Sequence, residues 1–328
     1  MKTWRTFSFT INGLPVEARY TEENIREIWN PLLLRLEEMQ RKKGDRLVVF
    51  LAAPPATGKS TLATFLSAHR VCRHDAPVTR CPRFDCVKHS PCARATDTLV
   101  ETGNAPSLCD GTGTVQREQS EGTERPRDLP AGVPLRDAKF PDKHDEDGLA
   151  RPNRDLKFQA LGLDGFHYHQ DYILSHTVTL EDGRVLPMKQ VKGSPETYDV
   201  PHFAEKLRAL RQGDPLWPVY DRRLHDVVEE QTPVTAPIVL IEGNWLLLQE
   251  GGWKELSQMA DYTIFIRAEE ALLRERLIGR KMQGGLSREQ AEAFYQTGDG
   301  VNVRRVLAAS GPADLTLRME ADGSFIVV

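Results

Sequence analysis

Gly58, Lys59 and Ser60 stand in succession inside the stretch LAAPPATGKST, Leu51 to Thr61. That order suits an anion. In a loop that turns from a strand into a helix, successive backbone N–H groups and the positive helix end face a phosphate, a lysine reaches its outer oxygens and a serine hydroxyl ligates magnesium. The expected phosphate contacts are therefore Ala56, Thr57, Gly58, Lys59, Ser60 and Thr61. Ala53, five residues before Gly58, departs from the glycine usual there. A Cβ costs roughly 1–2 kcal/mol only where φ is positive. The first residue to leave a strand keeps φ negative, so Ala53 is compatible with binding. Pro54 and Pro55 stiffen the loop and spare the donors nearest Lys59. A chance match in a strand-to-helix turn is the competing reading, and the flanking elements argue against it.

RLVVFLAA, just before the loop, is continuously apolar, as a strand buried on both faces of a parallel sheet must be, and STLATFLSAHR after it has helical spacing. FQALGLD ending at Asp164, PIVLIEG ending near Glu242 and YTIFIRA from Tyr262 repeat the buried-strand signature with helical patterns between them. Such alternation implies an α/β fold with a doubly wound, mainly parallel sheet flanked by helices, which binds ligands beyond the carboxyl ends of its strands. Asp164 and Glu242 belong to that edge. FSFTINGLPVEARY predicts an N-terminal hairpin about Asn12-Gly13, and LTLRMEADGSFIVV a closing hairpin about Asp322-Gly323. Between the first hairpin and the loop, a helix capped by Thr21 runs to Gly44, and Pro31 must kink or split it.

Residues 72–157 break the pattern with prolines, glycines, charges and all five cysteines. A length of this kind without periodic apolar residues is uncommon inside a compact domain, so it reads as a cysteine-rich insertion. The core is expected in two pieces, 1–71 and 158–328. Cys81, Cys86, Cys92 and Cys109 could hold a zinc ion that orders the insertion, or they are free thiols; their spacing is not a clean pair of C-x2-C knuckles.

The chain has 328 residues and a formal net charge of -4, which supplies no global basic field for a nucleic-acid backbone. No apolar run approaches the roughly 20 residues of a membrane helix. MKTWRTFSFTING has no apolar signal core, so the expected compartment is the cytoplasm, where cysteines stay reduced. A homodimer is left open, since interfaces leave no local motif.

Four further stretches carry a resemblance: GLDGFHYHQDYIL, KGSPETYDV, PVYDRRLHDVVEE and IEGNWLLL. With the loop they resemble the phosphoribulokinase, uridine kinase and bacterial pantothenate kinase superfamily of P-loop small-molecule kinases. The likeness covers roughly residues 45 to 70 and 158 to 316 and departs from the family at Ala53, Ala56 and the insertion. It implies ATP and magnesium as cofactors and phosphorylation of a hydroxyl on a pantothenate-, nucleoside- or sugar-like metabolite. Asp164 then matches the family's catalytic aspartate, with metal ordering as its other role. Ser60 and Glu242 would hold magnesium, Glu242 directly or through water.

Arg276 and Arg280, four apart before Gly284-Gly285 and a helix capped by Ser287, would close as a lid over the phosphates, with Lys59, or form a solvated helix face. His167, Tyr168, Lys192, Tyr198, Tyr220 and Arg222 supply a polar acceptor set, with Lys192, Tyr220 and Arg222 favoured because the family uses those motifs there. Two other classes of function compete. A nucleotide switch or metallochaperone would use the loop and the cysteines, and a kinase of nucleic-acid ends would use the insertion for binding. The first lacks a usable guanine-reading Asn-Lys-x-Asp, and the acidic balance weighs against the second.

Overall fold

The computed structural model describes residues 1–11, 14–71, 157–180 and 183–328. These residues fall within one compact unit built from Met1–Thr96 and Arg154–Val328. The cysteines and the expected insertion lie outside the described residues, as does the Asn12-Gly13 turn.

Strands β1 (Trp4–Ile11) and β2 (Leu14–Thr21) pair antiparallel, Phe9 opposite Val16 and Arg5 opposite Tyr20. Thr21 then caps a helical start by accepting from the Asn24 N–H, 3.0 Å away. Pro31 does not split the helix that follows. A widened π-helical segment, Ile25–Trp29, leads directly into α1 (Asn30–Lys43), whose first turn holds Pro31. A proline lacks the N–H that an interior turn requires, and the wider turn ahead of it accommodates the ring without a break. Gly44, at φ 79°, ends the helix as a left-handed cap.

The central sheet is made of β3 (Leu47–Ala52), β4 (Phe158–Gly162), β9 (Ile238–Gly243), β10 (Tyr262–Ala268), β11 (Leu315–Met319) and β12 (Phe325–Val327), in the order β12-β11-β10-β3-β9-β4. Only β12 runs antiparallel, so the closing hairpin extends this sheet. Along β3, Leu47, Val49 and Leu51 join one hydrophobic cluster, with α1 and with α2 (Lys59–Ala68). Val48, Phe50 and Ala52 join the other, with Phe203 and Leu207 of a helix at Val200–Ala209 and Trp253 of one at Gly251–Ser257. Both faces are covered, which is why this strand is apolar at every position. The first hairpin lies on α2 through Phe7 and Tyr20, whose rings stand 4.8 and 4.4 Å from that of Phe65.

Two smaller antiparallel pairs lie between β4 and β9 in the chain, β5 (Thr177–Thr179) with β6 (Val185–Pro187) and β7 (Leu216–Asp221) with β8 (Asp226–Pro233), and the second pair approaches the turn after β4. Gly165 makes that approach possible: a Cβ there would lie 2.2 Å from the Pro218 carbonyl oxygen. Among the described residues no helix is long and apolar enough to cross a membrane.

Candidate active site

The loop between β3 and α2 begins as an extension of its strand, with the buried Ala53 N–H donating to the Gly243 carbonyl at 3.3 Å. Its backbone turns left-handed at Ala56, φ 68°, and again at Gly58, φ 81°. The conformational cost of replacing glycine therefore falls on Ala56 and spares Ala53. Thr57 is buried and donates its hydroxyl back to the Pro54 carbonyl at 2.9 Å, which fixes the loop from within.

Sheet register brings the acids to the loop. Glu242 sits opposite Leu51 on one side and Gly162 on the other, at the carboxyl ends of three adjacent parallel strands. Ser60 Oγ donates to Glu242 Oε1 at 2.7 Å. Burial pushes the Glu242 carboxyl above its usual range, while Lys59 and the Ser60 hydroxyl oppose that shift and Asp164 adds to it. A hydroxyl and a carboxylate in contact suit magnesium, which takes one or two protein oxygens and keeps water or phosphate in its other positions. Among the described residues no group of three or more His, Cys, Asp or Glu could enclose a metal ion. The donors therefore fit a partly hydrated hard cation.

Asp164 lies two residues past β4, in a 3-10 turn at Leu163–Phe166. The Tyr198 hydroxyl donates to Asp164 Oδ1 at 3.3 Å. Tyr198 is buried, and both burial and the charge of Asp164 push its phenol well above the ordinary range, so it keeps the proton it donates. The His167 ring stacks on Tyr198 at 3.8 Å. Burial pushes its imidazole down, against a smaller pull from Asp164. His167 and Tyr198 thus stand behind the aspartate.

Arg276 and Arg280 share one side of the helix Glu270–Gln283 and line the cavity that holds the loop. Arg276 Nη1 donates to the Ala56 carbonyl at 3.3 Å, and burial lowers its pKa. Arg274 points elsewhere, paired with Glu275 and Glu292. Beyond Gly284 the next helix starts at a complete capping box of Ser287 and Gln290.

This cavity measures about 840 Å3 and carries Lys59, Arg222, Arg276 and Arg280 against Asp164 and Glu242 as its charged lining. Among the described residues, Lys59, Arg222 and Arg280 have no hydrogen bond or ion pair with the protein. Unpaired cations around a left-handed loop of backbone donors fit the polyphosphate of a nucleotide.

Of the sequence-derived set, Ala56, Gly58, Lys59, Ser60, Thr61, Asp164, Tyr220, Arg222, Glu242, Arg276 and Arg280 share this cavity. Thr57 lines a neighbouring one. Lys192 stands behind Tyr220, its Nζ 3.0 Å from the Tyr220 hydroxyl, 2.6 Å from Gln170 Oε1 and 3.3 Å from the His225 carbonyl. Tyr168 stacks on Tyr172 at 4.5 Å and is outside the cavity lining. Thr10, Ile11, Leu14 and Val16 of the first hairpin also line it, and no motif announced them.

No family model matches the chain. The uncharacterized protein YggC of Escherichia coli (strain K12) is 34% identical over 317 residues, 96% of each chain. The pantothenate kinase of Mannheimia succiniciproducens is 28% identical over 177 residues, 43% of this chain and 56% of that protein. The structure of a proposed fructose transport system kinase from Silicibacter sp. TM1040 aligns with a TM-score of 0.55 at 23% identity, over 88% of this chain and 98% of that one. The chain belongs to one family with YggC and has the P-loop kinase fold, with pantothenate and uridine kinases among its more distant relatives. The likeness to YggC covers nearly the whole of both chains, whereas the match to the pantothenate kinase spans about half of that protein's length. In this P-loop kinase fold the loop, the Ser60–Glu242 contact and the exposed Asp164 converge on one cavity.

Proposed function

We propose that the protein transfers the terminal phosphoryl group of ATP to a hydroxyl of a small metabolite. The observation that carries this reading is the one cavity in which Lys59 and Arg280, unpaired among the described residues, face Asp164 beside the Ser60–Glu242 pair. When bound, ATP supplies the phosphoryl group and magnesium offsets its charge.

Lys59, Arg276 and Arg280 bind phosphate oxygens, and their charge favours the transition state more than the ground state. Ser60 and Glu242 hold the magnesium. Asp164 accepts the proton of the acceptor hydroxyl: Tyr198 occupies Oδ1, and Oδ2 has no donor among the described residues. Tyr220 and Arg222, with Lys192 behind Tyr220, orient the acceptor, and Arg222 suits one that is acidic or phosphorylated. Both substrates are water-soluble metabolites, which fits an enzyme of the cytoplasm.

ADP release from magnesium ATP, measured across pantothenate, fructose and other sugars, nucleosides and sugar phosphates, tests the reading. One acceptor class should stimulate turnover, and Asp164→Asn should lower that turnover roughly a hundredfold or more, as removal of a general base does. Stimulation that survives Asp164→Asn unchanged would remove Asp164 from the chemistry. ATP binding with no stimulation across the panel would count against a kinase of these metabolites.

A further inference from the structure

A second cavity of about 460 Å3 adjoins the first, and Gly58, Thr61 and Arg276 line both. The phosphate loop is therefore the partition between them. A polyphosphate chain held on Lys59, with one end towards Asp164, has its other end at Thr61 and the mouth of this second space.

The walls of that space come from the two ends of the chain. From the C-terminal hairpin come Met319, Asp322, Gly323 and Phe325. From the N-terminal hairpin come Trp4 and four consecutive residues of β2, Glu17 to Tyr20. Side chains of a strand alternate between faces, so four consecutive residues line a cavity only when the strand presents an edge. Among the described residues β2 pairs with β1 alone, and a free strand edge carries unused N–H and C=O groups. At the rim, the exposed Arg19 guanidinium lies 5.4 Å from the Trp4 ring centre.

The hairpins are fastened to each other, so these walls hold their spacing. Asn24 donates to the Phe325 carbonyl at 2.7 Å and accepts from the Phe325 N–H at 2.9 Å. Lys2 bonds Asp322 at 2.7 Å and Ser324 at 2.9 Å.

We propose that the N-terminal hairpin is part of the donor site: the β2 edge, with Trp4 and Arg19 at its rim, holds the nucleoside of the nucleotide whose phosphates lie on the loop. This rests on the kinase reading above and adds to it an element that precedes the phosphate loop in the chain. A planar base is the group that an aromatic ring and a guanidinium hold by stacking, while a strand edge offers hydrogen bonds to its rim.

The test is titration calorimetry of the full chain with two probes, magnesium ADP and inorganic tripolyphosphate. Trp4→Ala and Arg19→Ala should each weaken ADP about tenfold, in the range expected for loss of a base-stacking contact. Tripolyphosphate, which has no base, should bind all forms within about twofold, and Trp4→Phe should recover most of the ADP affinity. The proposal is overturned if both alanine variants bind ADP as the wild type does, or if ADP and tripolyphosphate weaken equally, which would mean that the loop itself had moved. Tripolyphosphate binding as tight as ADP in the wild type would overturn it alone. Failure of the wild type to bind either probe would overturn the kinase reading with it. Arg19 is exposed, so Arg19→Ala keeps the test decisive if Trp4→Ala fails to fold.

Discussion

The two sides of the cavity use their cations differently. On the loop side, Lys59 has no hydrogen bond or ion pair among the described residues, and Arg280 and the acceptor-side Arg222 likewise have none, whereas behind the acceptor side Lys192 is held by Gln170, Tyr220 and the His225 carbonyl. A site for polyphosphate must keep its cations free, because any carboxylate paired with them would have to be displaced as the anion arrived. A site that selects one polar metabolite gains from fixing its groups in advance, since a wrong acceptor then leaves oriented donors unmatched. Activity and stability should therefore separate at Lys59 and move together at Lys192.

Lys59→Ala is the strongest way to break that contrast. Turnover should fall by roughly 10²–10³, the usual loss when a charge-stabilising donor is removed. The melting temperature should stay within about 1 °C, because the substitution breaks no hydrogen bond or ion pair among the described residues and removes only a through-space charge acting on Glu242. A melting temperature several degrees lower would show that Lys59 is already used in the fold.

Lys192→Met should do the opposite in part. It removes three contacts and leaves Gln170 and Tyr220 without their donor, so stability should drop by about 1–2 kcal/mol, seen as a lower urea midpoint. The KM for the acceptor should rise about tenfold, equal to about 1.4 kcal/mol, and the KM for ATP should stay put. A rise in the ATP constant alone would place Lys192 on the loop side.

His69 separates the pH dependence of the fold from that of the site. It sits beyond α2, stacked on Phe65 and bonded to Asn30, and burial pushes its pKa from 6.5 to about 4. The folded protein therefore binds fewer protons here than the unfolded chain between those two values. The stability that neutral His69 confers is complete above about pH 6.5 and is lost as the pH falls towards about 4. His69→Gln should flatten that acid limb by about 1 kcal/mol in urea unfolding, after discounting the shift for the ring's partial exposure. An unchanged acid limb would show that the ring is solvated.

The elements that could be read in advance owe their signal to burial or to caps. β3 has no polar residue because both its faces are covered, and Ser287 with Gln290 closes the box its spacing implied. Long-range placement could not be read the same way. Ser60 and Glu242 are 182 residues apart in the chain, and their contact depends on β9 entering beside β3. Reading Asp164 as the end of a strand missed the 3-10 turn that follows β4. The first hairpin announced its pairing through Asn12-Gly13, but nothing in its alternation says that Thr10, Ile11, Leu14 and Val16 border one cavity and the β2 edge another.

The smallest expected effect concerns the loop backbone. Ala56 and Gly58 are both left-handed, yet one carries a Cβ. At φ 68° Ala56 keeps within the φ range of the narrow left-handed well open to ordinary residues, while Gly58 at φ 81° and ψ 21° lies outside that well. Ala56→Gly should relieve roughly 1 kcal/mol of strain and lose about half of that to the greater freedom of glycine in the unfolded chain. The net gain is about 0.5 kcal/mol. Gly58→Ala should cost about 1–2 kcal/mol, all of it conformational, because a Cβ there would meet no atom within 4 Å. Thermal unfolding of the two single variants and the double exchange measures both. If Gly58→Ala lost tripolyphosphate binding without losing stability, the absent Cβ would be serving the phosphate and not the turn.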